Sequence, residues 1–178
     1  MPGITIKTAV ITELQRQLNH ELSAAHAYLA LAVWCDDQNL KGFARFFSKQ
    51  AAEEREHAQK FMTHLLDRGV SPKLAAIPEP RSNFAALLDV VQHAQAMEQA
   101  NTAGVNACFE TAVREADYPA QVLLHWFISE QVEEEAWTDE LLERVARANC
   151  AGGLGELDRH VERHLKEEGV QAAAGGSD

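Results

Sequence analysis

The sequence predicts an all-α fold: a four-helix bundle with one long crossover between helices two and three, followed by a short fifth helix. Strand signals are nearly absent, and four long segments rich in Ala, Leu, Glu and Gln carry apolar residues at helical spacing. The breaks between these segments are short, long and short. Since short breaks join antiparallel neighbours, two helical hairpins are linked by one crossover. We expect one domain at residues 1–170, with the bundle at about 8–147.

The first hairpin follows from two uninterrupted helical segments and the polar residues between them. The first helix is expected at about 8–36 and the second at about 41–68, separated by the short stretch DDQNLKG. The crossover GVSPKLAAIPEPRS comes next. Its three prolines and its glycine cannot continue a helix, so the second helix must end before it.

The second hairpin and the C-terminal segment follow the same pattern. The third helix is expected at about 83–115 and the fourth at about 119–147, with ADYP breaking the helical pattern between them. A short fifth helix fits 156–167 after a glycine-rich break. Residues 171–178, rich in small residues, are expected to form a flexible tail.

Composition excludes several classes of protein. The three cysteines, Cys35, Cys108 and Cys150, are odd in number and far apart, which favours reduced thiols over disulfides or a zinc ribbon. A formal net charge of −11 disfavours nucleic acid as a partner. No apolar run approaches the roughly 20 residues of a membrane span, and the N-terminus lacks the pattern of a secretory signal. We therefore expect a cytoplasmic protein with no membrane partner.

Each of the four predicted bundle helices carries an acidic residue on its buried stripe. Such a stripe recurs at alternating steps of three and four residues in a bundle. The interrupting carboxylates are those of Glu21, Glu54, Glu98 and Glu134, and the second helix adds His57.

The carboxylates also agree in height along the bundle. Glu21 lies 17 residues before Gln38 in the first break, and Glu54 lies 16 residues after it. Glu98 and Glu134 each lie 18 residues from the middle of the second break. At about 1.5 Å of rise per residue, the members of each pair differ by roughly 2 Å in height. All four acids are therefore expected at one level.

Four buried carboxylates at one level require compensation. Burying them as bare charges would cost several kcal/mol each. Protonation could relieve one or two of them, and a pair of divalent cations would relieve all. A single Glu on a predicted stripe is more often a residue that in fact faces solvent than a metal ligand. Glu54-x-x-His57, however, places two ligand side chains on one helical face, where they can share a metal. Carboxylates with one imidazole suit iron or manganese better than structural zinc.

At these residues the chain resembles a bacterial non-haem ferritin. The resemblance covers about residues 8–167 and rests on the stretches NHELSAAHAY, AAEEREHAQ, QAMEQ, DYP and HWFISEQVEEE. It implies a ferritin-like bundle with a di-iron centre. The implied residues are Glu21, Glu54 and His57 at the first iron; Glu54, Glu98 and Glu134 at the second, with Gln131 beside it; Tyr28 next to the site; and Glu53, Glu130 and Glu133 at a third, weaker iron site.

Two departures from related di-iron proteins refine this expectation. Bacterioferritins carry a second Glu-x-x-His on the fourth helix, and here the stretch from Gln131 to Glu134 contains no histidine. The second iron should therefore be held less tightly, as suits iron in transit to a mineral. Bacterioferritins also place a haem-ligating methionine directly after the bridging Glu, where this chain has Arg55. No haem is expected.

The resemblance implies iron storage and detoxification. Fe(II) would be oxidised by O2 or H2O2, and Fe(III) would be deposited inside a hollow homo-oligomeric shell of 24 subunits. In the fifth helix, His160 and His164 would line a pore or, as we favour, face solvent. Two alternatives stay open: a di-iron oxidase or peroxidase of the rubrerythrin type, and a bundle that nucleates mineral without oxidising iron.

Overall fold

The computed structural model describes residues 6–148 and 153–175, with side chains described as far as Lys166. Every regular element in these ranges is an α-helix, which confirms the predicted fold class. No described helix has the length and apolar character needed to cross a membrane. The helices are α1 (Thr8–Asp37), α2 (Lys41–Asp67), α3 (Leu87–Arg114), α4 (Tyr118–Arg147) and α5 (Gly153–Gly175).

The helices pack in the order that the break lengths predicted. α1 packs along α2, α3 packs along α4, and α1 also contacts α3, so the two hairpins face each other. The first hairpin turns at Asn39, whose φ of 58° lies in the left-handed region. α2 ends at Asp67 and is followed by a second left-handed residue, Gly69, with a φ of 74°. An asparagine and a glycine adopt this conformation more readily than other residues do.

The second hairpin turns at Ala116 and is fixed by an ion pair to the first hairpin. Ala116 has a φ of 53°, and Asp117 then caps α4 by accepting a hydrogen bond from the backbone N–H of Ala120. Arg68, at the end of α2, donates to both Asp117 oxygens at 2.7 and 2.9 Å. This contact sets the register between α2 and α4 on one side of the candidate site.

Two helix boundaries differ from the sequence prediction. α3 begins at Leu87, later than the expected residue 83, because Phe84 is buried against the apolar core and Ala86 is extended with a φ of −158°. α5 begins at Gly153 and runs to Gly175, well beyond the expected 156–167. The expected flexible tail at 171–178 is thus helical as far as Gly175, and residues 176–178 lie outside the described ranges.

The interior contains two apolar clusters. One cluster lies toward the α1–α2 turn and includes Phe43, Phe47 and Leu31. The other lies toward the α3–α4 turn and includes Phe61 and Phe127. All four bundle helices contribute to each cluster. Most of the buried residues between them are polar, and these form the layer in which the candidate site lies.

α5 packs on α2 of its own chain. The carboxylate of Asp158 accepts a hydrogen bond from the backbone N–H of Phe43 at 2.9 Å, within the first turn of α2. Gly42 permits this approach, since a Cβ there would lie 2.1 Å from the backbone oxygen of Asp158. Leu157 and Val161 pack against the neighbouring apolar cluster. The fifth helix is therefore anchored to the subunit by a buried polar contact and by apolar packing.

Candidate metal centre

The four bundle helices each place one carboxylate in the polar layer, as the stripe positions predicted. The 3–4 spacing of apolar neighbours turns these residues inward, and the matched heights bring them together. The layer buries the whole set expected at the centre, with exposed fractions between 0 and 6%. Its members are Glu21, Tyr28, Glu54, His57, Glu98, Gln131 and Glu134.

The most compact part of the layer consists of Glu21, Glu54 and His57. Each offers one ligand atom, and these atoms all lie within 4.8 Å of one another. In the described part of the chain this is the one group of three or more His, Cys, Asp or Glu residues with that geometry. One metal ion fits such a set, because carboxylate and imidazole ligands converge on it at about 2 Å.

Two atoms of this group have no hydrogen-bonding partner. Oε2 of Glu54 lies 3.3 Å from Nδ1 of His57, and both atoms are fully buried. Buried polar atoms are nearly always hydrogen-bonded, because leaving them unpaired costs about 1–3 kcal/mol each. A cation between them would satisfy both atoms at once.

Glu98 and Glu134 occupy the other side of the layer and are held by donors. The Tyr28 hydroxyl donates to Glu98, and the Trp137 indole N–H donates to Glu134. The Gln131 amide also donates to Oε2 of Glu98 at 3.3 Å. The structure does not bring these two acids into a compact group like the first one. They nevertheless lie close enough to Glu54 for their charges to oppose its ionisation.

Burial raises the pKa values of all four carboxyls, and repulsion among them adds to this for Glu21, Glu54 and Glu134. Burial raises the pKa of Glu21 well above its usual range, and the Glu54 charge adds to this. Burial also raises the pKa of Glu54 strongly, with Glu98 and Glu134 contributing. The pKa of Glu134 rises to about 7 through burial and the Glu98 charge. For Glu98, burial raises the pKa although the hydrogen bonds from Tyr28 and Gln131 oppose it. A layer in this state gains from binding cations in place of protons.

The three acids expected at a weaker site lie together beside this layer. Glu53, Glu130 and Glu133 line a cleft of about 380 Å³ that also reaches Glu134. Glu53 pairs with Lys49 Nζ at 3.3 Å. The cleft therefore connects the buried layer to the surface through acidic side chains.

The two histidines of α5 line the same cleft. His160 and His164 are both exposed in the single chain, and they line the opening together with residues of α4. Nε2 of His160 lies 3.1 Å from Nη1 of Arg144. Whether either residue lines a pore between subunits stays a prediction.

Several residues of the polar layer carry no functional signal in the sequence. Trp137 and Gln50 donate to Glu134, and Gln17 and Asn101 donate to Glu21. Asn101 and Gln50 fall on the buried stripes of their helices, so the sequence indicated their burial but not their contacts with the acids. Trp126 packs its ring edge-on at 5.4 Å from the His57 ring and lies under Lys60 Nζ, which supports a packing role.

Comparison with known proteins agrees with this architecture. A family model described as a ferritin-like domain matches residues 11–148. A bacterial non-heme ferritin of Staphylococcus aureus strain MRSA252 is 38% identical over 162 residues, which is 91% of this chain and 94% of that protein. The corresponding Staphylococcus saprophyticus protein is 38% identical over 138 residues, 78% of this chain and 83% of its own length.

Solved structures give the same result. An open pore ferritin from the hyperthermophilic archaeon Archaeoglobus fulgidus superposes with a TM-score of 0.86 at 32% identity, covering 88% of this chain and 98% of its own. An engineered closed form of the same archaeal ferritin superposes with a TM-score of 0.85. Fold, buried acidic layer and sequence similarity over most of its length agree, and the chain belongs to the ferritin family.

Proposed function

We propose that this protein stores iron and oxidises Fe(II) at the buried acidic layer before depositing Fe(III). The observation that carries the proposal is the pair of unpartnered atoms, Oε2 of Glu54 and Nδ1 of His57, inside a layer of four buried carboxyls. A cation between these two atoms would satisfy both of them at once. The relatives named as bacterial non-heme ferritins support iron as the substrate metal.

The residues take different roles in binding the two iron ions. Glu21 and His57 would hold the first ion, and Glu54 would reach both ions. Glu98 and Glu134 would hold the second ion, beside Gln131. With no imidazole at that second position, it would bind iron more weakly than the first. Tyr28 would assist through its hydroxyl, which donates to Glu98, and a redox role next to the site is part of the proposal.

The reaction balances with either oxidant. Two Fe(II) ions lose one electron each, and the two electrons with two protons reduce O2 to H2O2, or H2O2 to two waters. The carboxylates stabilise the higher charge of Fe(III) in a layer from which water is largely excluded. Fe(III) would then leave through the cleft lined by Glu53, Glu130 and Glu133 toward a mineral.

The mineral requires a closed space, which we propose is a homo-oligomeric shell. The match to ferritins over most of the chain supports self-assembly, and 24 copies of a 19.7-kDa chain would give a particle of about 470 kDa. We place the protein in the cytoplasm, with iron ions and O2 or H2O2 as its reactants. Nucleic acid, a membrane and haem have no place in this proposal.

The proposal is tested by adding Fe(II) aerobically to the metal-free protein and following absorbance in a stopped-flow instrument. We expect a fast phase that saturates at a few iron ions per chain. Slow oxidation without a saturating phase would instead favour a bundle that nucleates mineral without catalysis. Size-exclusion chromatography with light scattering tests the shell, and a monodisperse dimer would contradict it.

A further inference from the structure

Three buried amides connect the two halves of the acidic layer. Gln17 on α1, Asn101 on α3 and Gln131 on α4 are 0, 1 and 2% exposed. Gln17 Nε2 donates to Oδ1 of Asn101, and Asn101 Nδ2 donates to Oε1 of Gln131 at 3.3 Å. Gln131 Nε2 then donates to Oε2 of Glu98 at 3.3 Å. The three amides form a continuous chain, which we call the amide chain.

The amide chain also fixes Glu21. Gln17 Nε2 donates to Oε1 of Glu21 at 2.9 Å, and Asn101 Nδ2 donates to Oε2 of the same carboxylate at 3.1 Å. Each amide nitrogen has two hydrogens. Gln17 and Asn101 each donate one amide hydrogen to Glu21 and the other to the oxygen of the next amide. Both oxygens of Glu21 are therefore held before any metal arrives.

The direction of the amide chain follows from the carboxylates. When a metal ion is bound, the carboxylates are ionised and only accept hydrogen bonds, so the nitrogens of Gln17 and Asn101 must then face Glu21, and that of Gln131 must face Glu98. Arg16 Nη1 donates to Oε1 of Gln17 at 3.3 Å at the other end. All donors thus point from the guanidinium toward Glu98, an arrangement in which successive bonds polarise one another.

Gly104 provides the space for this arrangement. A Cβ at position 104 would lie 2.3 Å from Oε1 of Gln17 and 3.2 Å from Nη1 of Arg16. An alanine there would displace the Gln17 amide, although every residue of the amide chain would still be present. The glycine is buried in the middle of α3, where alanine would otherwise favour the helix by about 1 kcal/mol.

We propose that Gln17 and Asn101 are positioning residues that hold Glu21 for the first metal ion and orient Gln131 and Glu98 for the second. The inference rests on the proposed function and adds residues to it. Neutral amides suit this task because they leave each carboxylate oxygen a lone pair for the metal and add no positive charge to repel it. A lysine or an arginine in their place would compete with the cation.

The test measures Co²⁺ binding to the metal-free protein through visible absorption, with Glu54→Ala as the background for other sites. We expect Asn101→Leu to weaken binding at the compact group by about tenfold and to change its absorption spectrum. The matched control is Asn106→Leu, the same substitution at an exposed position of α3, which should bind as the parent does. Parent affinity and spectrum in Asn101→Leu would overturn the inference.

Gly104→Ala provides a second variant that does not delete a buried polar group. It should weaken Co²⁺ binding in the same direction, whereas Gly155→Ala, whose Cβ would contact nothing within 4 Å, should not. In a Gln17→Ala background the effect of Gly104→Ala should vanish, because the displaced amide is no longer present. Additive losses would show that the Gly104→Ala substitution does not act through the Gln17 amide, and would overturn the role of Gln17.

The same variants separate this inference from the proposed function. If Co²⁺ binding depends on the amide chain but the parent protein shows no saturating Fe(II) oxidation, the proposed function is contradicted and the positioning role stands. A parent that oxidises Fe(II) rapidly, with variants that bind Co²⁺ as tightly as it does, would contradict the positioning role alone.

Discussion

Oε2 of Glu54 lies 3.3 Å from Nδ1 of His57, one turn further along α2, and neither buried atom has a hydrogen-bonding partner. The two residues are separated by three positions, which places them on the same helical face. Each of the two residues offers a ligand atom within 4.8 Å of one from Glu21. This arrangement favours a metal centre over a network of salt bridges, in which each carboxylate would meet a lysine or an arginine.

The first prediction concerns oxidation by the Glu54 variant. Glu54→Ala removes the one carboxylate proposed to contact both metal ions, so the fast phase of Fe(II) oxidation should fall by about a hundredfold or more. Glu56→Ala is the matched control, because Glu56 is exposed and lies about 200° around the helix. Stopped-flow absorbance measures both. An unchanged rate in Glu54→Ala would remove this residue from the centre.

The second prediction concerns stability without metal. Glu54 carries a penalty for its charge in the metal-free layer, since burial and the other acids raise its pKa. Glu54→Gln removes that penalty and keeps the shape of the side chain, so the metal-free variant should melt no lower than the metal-free parent. A gain in stability of about 1 kcal/mol would raise the melting temperature by roughly 2–4 °C. Glu56→Gln should leave the melting temperature unchanged. A loss of several degrees in Glu54→Gln would instead indicate that the acids stabilise the bundle.

The third prediction concerns the cleft acids. Glu130 lines the cleft and is only partly buried, outside the compact group of metal-ligand atoms. Glu130→Ala should therefore keep the initial burst of oxidation and change the number of iron ions taken up afterwards. Glu110→Ala, an exposed acid on α3, serves as the control. Loss of the burst itself would move Glu130 into the primary site.

The fourth prediction concerns the ion pair between α2 and α4. Burial would raise the pKa of Asp117, but the hydrogen bonds from Arg68 and the Ala120 N–H and the Arg68 charge together hold it below its usual 3.8. Because the folded state binds fewer protons than the unfolded state, Asp117 stabilises the fold above about pH 4. This contribution is lost as the pH falls through the lowered pKa.

Asp117→Asn isolates that contribution, since asparagine still caps α4 but carries no charge for Arg68. The variant should be less stable than the parent by about 2 kcal/mol at pH 7 in urea unfolding. The difference should shrink below about pH 4. A difference that is the same in neutral and in strongly acidic buffer would show that the charge of Asp117 is irrelevant.

The fifth prediction concerns α5. Its Asp158 carboxylate accepts from the Phe43 N–H, so Asp158→Ala should destabilise the isolated subunit fold by about 1–2 kcal/mol. Glu156→Ala, an exposed acid on the same helix, should have little effect. Thermal melting of the two variants at equal concentration makes the comparison. Equal melting temperatures would mean that the hydrogen bond from Phe43 to Asp158 does not stabilise the fold.

The sequence predicted the buried acids because a carboxylate on an apolar stripe is conspicuous at 3–4 spacing. Glu21, Glu54, Glu98 and Glu134 were all visible in this way, and their common height followed from helix rise. Their burial is confirmed, and their binding of iron stays a prediction. The four bundle helices were predicted for the same reason, since each repeats the apolar pattern over many turns.

What the sequence did not predict depends on contacts between distant residues. Gln17 and Asn101 are 84 positions apart, and an amide on a helix carries no signal of what it will meet. Asp158 caps α2 from 115 positions away. α3 starts late because Phe84 packs into the core, a tertiary effect that overrides local helix propensity. The extension of α5 to Gly175 was not predicted either, because the small residues at the C-terminus are typical of a flexible tail.

The division of the interior into two apolar clusters has a consequence for the protein when it carries no iron. Each cluster draws on all four bundle helices, and neither contains a proposed ligand of the metal; Tyr28, which lies in the first cluster, contacts the site only by donating to Glu98. Small metal-dependent domains collapse when their ion leaves, because the ion replaces a core. Here two complete cores hold the helices on either side of the acidic layer. The subunit can therefore stay folded through repeated loading and release of iron, because the packing of its four helices does not require bound metal.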